Sequence, residues 1–207
     1  MVVALFVPNL IGYARFALIL ASFYYAFTNP NLFMLLYCSS YLGDMADGYT
    51  ARLLNQCSQW GALLDMIVDR LSTGTFFVVL MHVDAKYSFI YMWLMGSDYV
   101  SHWFHMFSSY YIGNQSHKGD NKDENFLVRF YYKNKYMLLF TCILAEAAGI
   151  IRYSMLFEET KWFSESLPVM LFFPVAVAGL AIKNILNVVQ LKAALVRIIE
   201  KDSLLLK

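Results

Sequence analysis

Six apolar stretches, at residues 10–27, 32–54, 61–83, 87–111, 137–157 and 168–191, take up most of this 207-residue chain. A bilayer core about 30 Å thick needs about 20 predominantly apolar residues of helix to cross it. The recurring length predicts an all-α integral membrane protein of six transmembrane helices, a single domain over residues 1–207. Composition agrees: 59% of residues are hydrophobic and 15% charged, with a mean hydropathy of +0.50. A soluble domain carries about 25% charged and about 45–50% apolar residues. A net charge of +1, with no Lys/Arg run interleaved with aromatics, predicts no nucleic-acid partner. Cys38, Cys57 and Cys142 are widely spaced and form no CxxC pair, which argues against a zinc site or a disulfide framework. Met1 to Val7 has no basic n-region, so no cleavable signal is expected. The one sizeable loop, 113–125, is polar.

The second and third stretches are interrupted by acids in a fixed pattern: Asp44-x2-Asp47-Gly48-x2-Ala51-Arg52-x8-Gly61-x3-Asp65-x3-Asp69. On a helix, positions 44, 47, 48, 51 and 52 share one face, as do 61, 65 and 69. Antiparallel packing of the two helices sets Asp44 near Asp69 and Asp47 near Asp65. Solvated helix-end carboxylates are the bland alternative, but seven spacings hold together inside a very apolar chain. Four carboxylates this close repel one another unless cations neutralise them. Their hard oxygens suit Mg²⁺ or Mn²⁺, so the pattern predicts a metal site for handling phosphates.

Basic residues set the orientation. Arg52, Lys118, Lys122, Arg129, Lys133, Lys135, Lys192, Arg197, Lys201 and Lys207 fall on one side, against Lys86 and Lys161 on the other. The positive-inside rule then puts both termini and the acidic cluster in the cytosol. The sequon Asn114-Gln115-Ser116 lies on that side and should go unused. Asp98, Glu146, Arg152 and Lys183 lie at membrane depth, where charges face a bundle interior or a wet cavity. Glu146 and Arg152 are six apart, on different faces, and should not pair with each other. Arg15, a turn inside the first stretch, has no partner that the sequence names. His82, His102, His105 and His117 read as packed or hydrogen-bonded, since no matching His or Cys pair accompanies them.

The Asp44–Asp69 pattern resembles the signature of the CDP-alcohol phosphotransferases, membrane enzymes of phospholipid synthesis, at every signature position. Pro8-Asn9-Leu10-Ile11-Gly12-Tyr13-Ala14-Arg15, Ser101-His102-Trp103-Phe104-His105 and Ser116-His117-Lys118 are similar to the eukaryotic branch that uses inositol. So are Arg129-Phe130-Tyr131-Tyr132, Glu146 and Lys183, and the likeness runs from about Phe6 to Lys192. The resemblance implies six transmembrane helices, a homodimer, a cytosol-facing polar cavity and, in a eukaryotic cell, the endoplasmic reticulum membrane. It implies transfer of the phosphatidyl group from CDP-diacylglycerol to myo-inositol, with release of CMP. Asp44, Asp47, Asp65 and Asp69 would hold two divalent ions, Mg²⁺ or Mn²⁺, with Asp69 also the catalytic base. Asn9, Asp47, Gly48, Ala51, Arg52, Gly61 and Asp65 would bind the CDP-diacylglycerol. Ser116, His117, Lys118, Lys135, Glu146 and Lys183 would be candidates for inositol. The apolar Met1–Val7 departs from the family, which often has an amphipathic surface helix there.

Two alternatives stand beside this reading. One is the same family with another acceptor, such as glycerol 3-phosphate, serine or a choline-type alcohol. The other is a small cation-coupled transporter, in which carboxylates at membrane depth bind a travelling ion. Against the transporter, the acids gather towards one side and no inverted repeat is visible.

Overall fold

The computed structural model describes residues 2–112 and 135–206, and among these the secondary structure is entirely helical. Six long helices stand at the six apolar stretches: α1 (Val7–Tyr25), α2 (Pro30–Leu53), α3 (Gln59–Val83), α4 (Ser88–Ile112), α5 (Lys135–Ser154) and α6 (Leu167–Leu205). Short 3-10 turns (Val3–Leu5, Ala85–Tyr87 and Glu158–Thr160) and one helical turn (Lys161–Ser164) join or precede them. α6 outruns its apolar stretch. At about 1.5 Å per residue its 39 residues reach about 58 Å, roughly twice a bilayer core. Among the described residues two helices, α1 and α6, are long and apolar enough to cross a membrane by length and composition alone. Acidic and basic side chains break the apolar run in α2, α3 and α5.

The chain divides into two compact units. The first holds Met1–Ser88 and Arg152–Glu165, and so contains α1, α2 and α3. Here α1 packs against both α2 and α3. Phe33, Tyr37, Phe76 and Tyr153 form an aromatic core with ring centroids 4.4 to 6.2 Å apart. The Tyr153 hydroxyl donates to the Ala26 carbonyl at 2.5 Å, which ties the last turn of α5 to the end of α1. Arg152 pairs with Asp84, with Nε and Nη2 each 2.7 Å from Oδ2, and its guanidinium lies 5.4 Å from the centre of the Tyr87 ring. Lys161 donates to Glu158, and that bond holds its ammonium above the usual lysine range.

The second unit holds Phe89–Ile151 and Ser166–Lys207. Asp98, buried in α4, is the hub of its polar interior. Asn187 Nδ2 donates to Asp98 Oδ1 at 3.2 Å, and Lys183 Nζ stands 3.8 Å from the same oxygen. His102 Nδ1 lies 2.8 Å from the Asp98 carbonyl, so this histidine is a hydrogen-bonded interior group as expected. Nearby, Trp93 donates to Asn184 (3.1 Å), which donates to Ser97 (2.6 Å). α5 and α6 touch at Gly179, where an added Cβ would lie 2.3 Å from Leu144 Cβ.

Both units bury polar groups beside their apolar cores and leave large apolar side chains exposed. Asn9, Arg15, Asp47, Asp84, Asp98 and Asn187 are buried, while Leu20, Leu35, Phe89, Trp93, Phe140 and Leu171 are each more than half exposed. In water so much exposed apolar surface would drive association. The arrangement suits a chain solvated by lipid.

Candidate active site

The site is built in the first unit, from α1, α2, α3 and the turn between α2 and α3. That turn is fixed at both ends. Asn55 takes a left-handed conformation (φ 54°), which asparagine tolerates better than most residues. It lets Gln56 N–H close on the Ala51 carbonyl at 2.9 Å and Asn55 N–H on Arg52 at 3.4 Å, satisfying the last carbonyls of α2. Ser58 caps α3, its Oγ accepting from Gly61 N–H at 3.0 Å. The turn thus fixes the end of α2 and the start of α3.

All four aspartates meet at one side chain, Arg15 of α1. Its Nη1 lies 2.6 Å from Asp47 Oδ2 and 2.8 Å from Asp65 Oδ1. Its Nη2 lies 2.8 Å from Asp44 Oδ1 and 2.7 Å from Asp69 Oδ1. The guanidinium sorts the acids into the pairs that antiparallel packing predicts, 47 with 65 and 44 with 69. Ligand oxygens of Asp44, Asp47 and Asp65 lie within 4.8 Å of one another, close enough to share a metal ion. Asp69 joins them through Arg15. The donors are hard carboxylate oxygens without His or Cys, the chemistry of a Mg²⁺ or Mn²⁺ site, so these residues fit a divalent ion. The Asp65 side chain is 47% exposed and those of Asp44 and Asp69 are each 34% exposed, whereas that of Asp47 is 11% exposed. The cluster is therefore anchored at Asp47 and open to a ligand elsewhere.

Beside it lies a cleft of about 180 Å³ lined by Asn9, Gly48, Ala51, Arg52, Gly61 and Asp65, among others. Arg52 folds back over Gly48, its guanidinium nitrogens 3.6 and 3.7 Å from where a Cβ would stand. Arg52 and Asp65 both line the cleft. At Gly61 an added Cβ would come within 2.9 Å of Asn9 Oδ1, so this glycine serves the close packing of α3 on α1. Asn9 is held in turn by a 2.6 Å bond from Nδ2 to the Val3 carbonyl. The cleft also draws on Gln56, Cys57 and Ser58 of the turn, which the sequence reading did not select. The eight-residue gap between Arg52 and Gly61 was the available signal for them.

The sequence profile of the CDP-alcohol phosphatidyltransferases matches residues 5–196, a range that spans both units. This chain belongs to that family. Curated relatives of this phosphatidyltransferase include the probable CDP-diacylglycerol–inositol 3-phosphatidyltransferase 2 of Arabidopsis thaliana, 35% identical across 93% of this chain and 88% of the relative. The CDP-diacylglycerol–inositol 3-phosphatidyltransferase of Schizosaccharomyces pombe is 35% identical across 95% and 90%. The rat enzyme of the same name is 37% identical across 75% and 73%. No solved structure matches the chain significantly.

Glu146 and Lys183 belong to the second unit, where Lys183 approaches Asp98. Ser116, His117 and Lys118, and the Lys135 side chain, lie outside the described residues, as does the 129–132 segment. Arg15 is the residue that the sequence left unassigned. It stands one turn above Gly12 on α1, and its contacts depend on how α1 meets two other helices.

Proposed function

We propose that this chain is a phosphatidylinositol synthase, which transfers the phosphatidyl group of CDP-diacylglycerol to a hydroxyl of myo-inositol and releases CMP. The observation that carries the reading is the cleft lined by Gly48, Arg52, Gly61 and Asp65 beside the four-aspartate cluster. The inositol acceptor is supported by the names of relatives that align over most of their length.

Asp44, Asp47, Asp65 and Asp69 would hold the divalent ions, two in this reading. When bound, such ions screen the diphosphate and stabilise the charge that develops on the leaving CMP oxygen. The chain's own groups do the rest. Arg52 binds a donor phosphate oxygen with its fork of N–H groups. Gly48, with no Cβ, lets the nucleotide approach α2. Asn9, Ala51 and Gly61 line the nucleotide's side of the cleft. A carboxylate oxygen of Asp69 takes the proton of the inositol hydroxyl as that oxygen attacks the lipid-side phosphorus. The new P–O bond forms, the bond to the CMP oxygen breaks, and phosphatidylinositol and CMP result. Ser116, His117, Lys118, Lys135, Glu146 and Lys183 are the groups we assign to the neutral polyol, which needs several donors and acceptors rather than a charge clamp.

The proposed setting is the endoplasmic reticulum membrane, crossed by six helices of a single domain, with both termini and the active site facing the cytosol and two copies forming a homodimer. Helix lengths and the bias of basic residues support it. CMP release from CDP-diacylglycerol with Mn²⁺ or Mg²⁺, across a panel of acceptors, tests the assignment. Release only with myo-inositol is expected. Release with glycerol 3-phosphate, serine or choline instead would keep the family and remove the acceptor.

A further inference from the structure

We propose that Arg15 is a built-in counter-ion that holds the metal-free site together and competes with divalent ions for the same carboxylates. The inference rests on the proposed metal site and adds a step to its loading. One guanidinium touches one oxygen of each aspartate, at 2.6 to 2.8 Å, which places it at the centre of the cluster rather than at its rim. Its berth is shaped for it. At Gly43 an added Cβ would stand 2.8 Å from Arg15 Cγ, so only glycine leaves room for the arginine stem. The Ser40 hydroxyl donates to the Arg15 carbonyl at 3.2 Å and fixes that turn of α1 against α2. Arg15 is 3% exposed, and its buried Nε has no hydrogen-bond partner. The side chain is therefore held by its two Nη groups, through the carboxylates alone.

Arg15 at the centre and Arg70, whose Nη2 lies 3.9 Å from Asp69 Oδ2, give two positive charges against four carboxylates, which leaves the cluster short of cations and favours further cation binding. A Mg²⁺ ion takes its oxygens at about 2.0–2.1 Å. A guanidinium nitrogen on the same oxygens bars an ion from that side and repels it from the others. Metal loading and the four Arg15 contacts thus exclude one another at least in part. The arginine keeps four mutually repelling acids gathered before the ions arrive, and it gives way as they enter.

The test is Mn²⁺ binding to detergent-purified protein without donor lipid, followed by the electron paramagnetic resonance signal of free Mn²⁺. Wild type, Arg15→Lys and Arg15→Met are compared, and the melting temperature of each is read with and without Mn²⁺. A site that must first be vacated shows a weakened apparent affinity, so both variants should bind Mn²⁺ roughly tenfold more tightly. Both should melt lower than wild type without metal, and both should gain more on Mn²⁺ addition. Arg15→Lys is decisive because it keeps the charge and loses the fork, and it serves alone if the Met variant does not fold. Unchanged or weaker binding in both variants would overturn the proposal and make Arg15 a support of the metal-bound site. Tighter binding in Arg15→Met alone would also overturn it, because charge without competition explains that pattern. Failure of wild type to bind Mn²⁺ would remove the metal reading itself.

Discussion

Asp69 and Asp47 carry the same functional group in different surroundings, and in the proposed mechanism the difference divides their work. Asp47 is nearly buried, with Oδ2 2.6 Å from Arg15, whereas a third of the Asp69 side chain is exposed. Asp69→Asn keeps the shape and removes the base, so turnover should fall by at least about 100-fold. CMP binding, measured by calorimetry, should stay within a few-fold. Full turnover in that variant would remove Asp69 as base. Arg52→Lys replaces a planar fork with a point charge. It should raise KM for CDP-diacylglycerol about tenfold and leave kcat little changed, as expected when binding shared by ground and transition states is lost. The acids and Arg52 were legible in the sequence because helical spacing alone puts them on shared faces. The partners of Arg15 were not, because they depend on the register of α1 against α2 and α3, which no spacing within one helix encodes.

At the level of elements, the α2–α3 turn does the positioning. Left-handed Asn55 and the Ser58 cap set where Asp65 meets Asp47. Ser58→Ala should cost about 1 kcal/mol of stability, as the loss of an N-cap does, read as a lower melting temperature in detergent. If donor KM rises as well, the turn is also part of the cleft. Gly179 makes an equivalent demand in the second unit. Gly179→Ala puts a methyl 2.3 Å from Leu144 Cβ, and overpacking of this kind costs about 1–3 kcal/mol. The positions of all six helices were legible from hydropathy. The end of α6 was not, since the helix continues to Leu205 through a segment more polar than the stretch before it.

For the whole molecule, polar side chains gathered inside beside an apolar core, with large apolar side chains on the surface, suit a lipid medium. Asp98, Lys183 and Asn187 inside, with Phe89 and Leu171 outside, are consistent in such a medium. The proposed orientation makes Cys57, an exposed thiol lining the cleft, accessible from the cytosol. In sealed microsomes with their cytosolic face outward, an impermeant maleimide should label Cys57, and CDP-diacylglycerol should slow the labelling. Labelling only after the membrane is opened would reverse the topology. How the polyol is held was not legible, because a neutral ligand imposes no charge pattern and its candidate residues are scattered along the chain.

The measurement that tests the account most directly is incorporation of radiolabelled myo-inositol into chloroform-soluble lipid by the purified protein. It is run with CDP-diacylglycerol and Mn²⁺, beside a chelated sample and the Asp47→Asn variant. The account predicts labelled phosphatidylinositol in equal yield with CMP, and loss of both on chelation or in the variant. Undiminished labelling without metal, or in Asp47→Asn, would contradict the assignment of the aspartate cluster as the metal-dependent centre of phosphatidyl transfer.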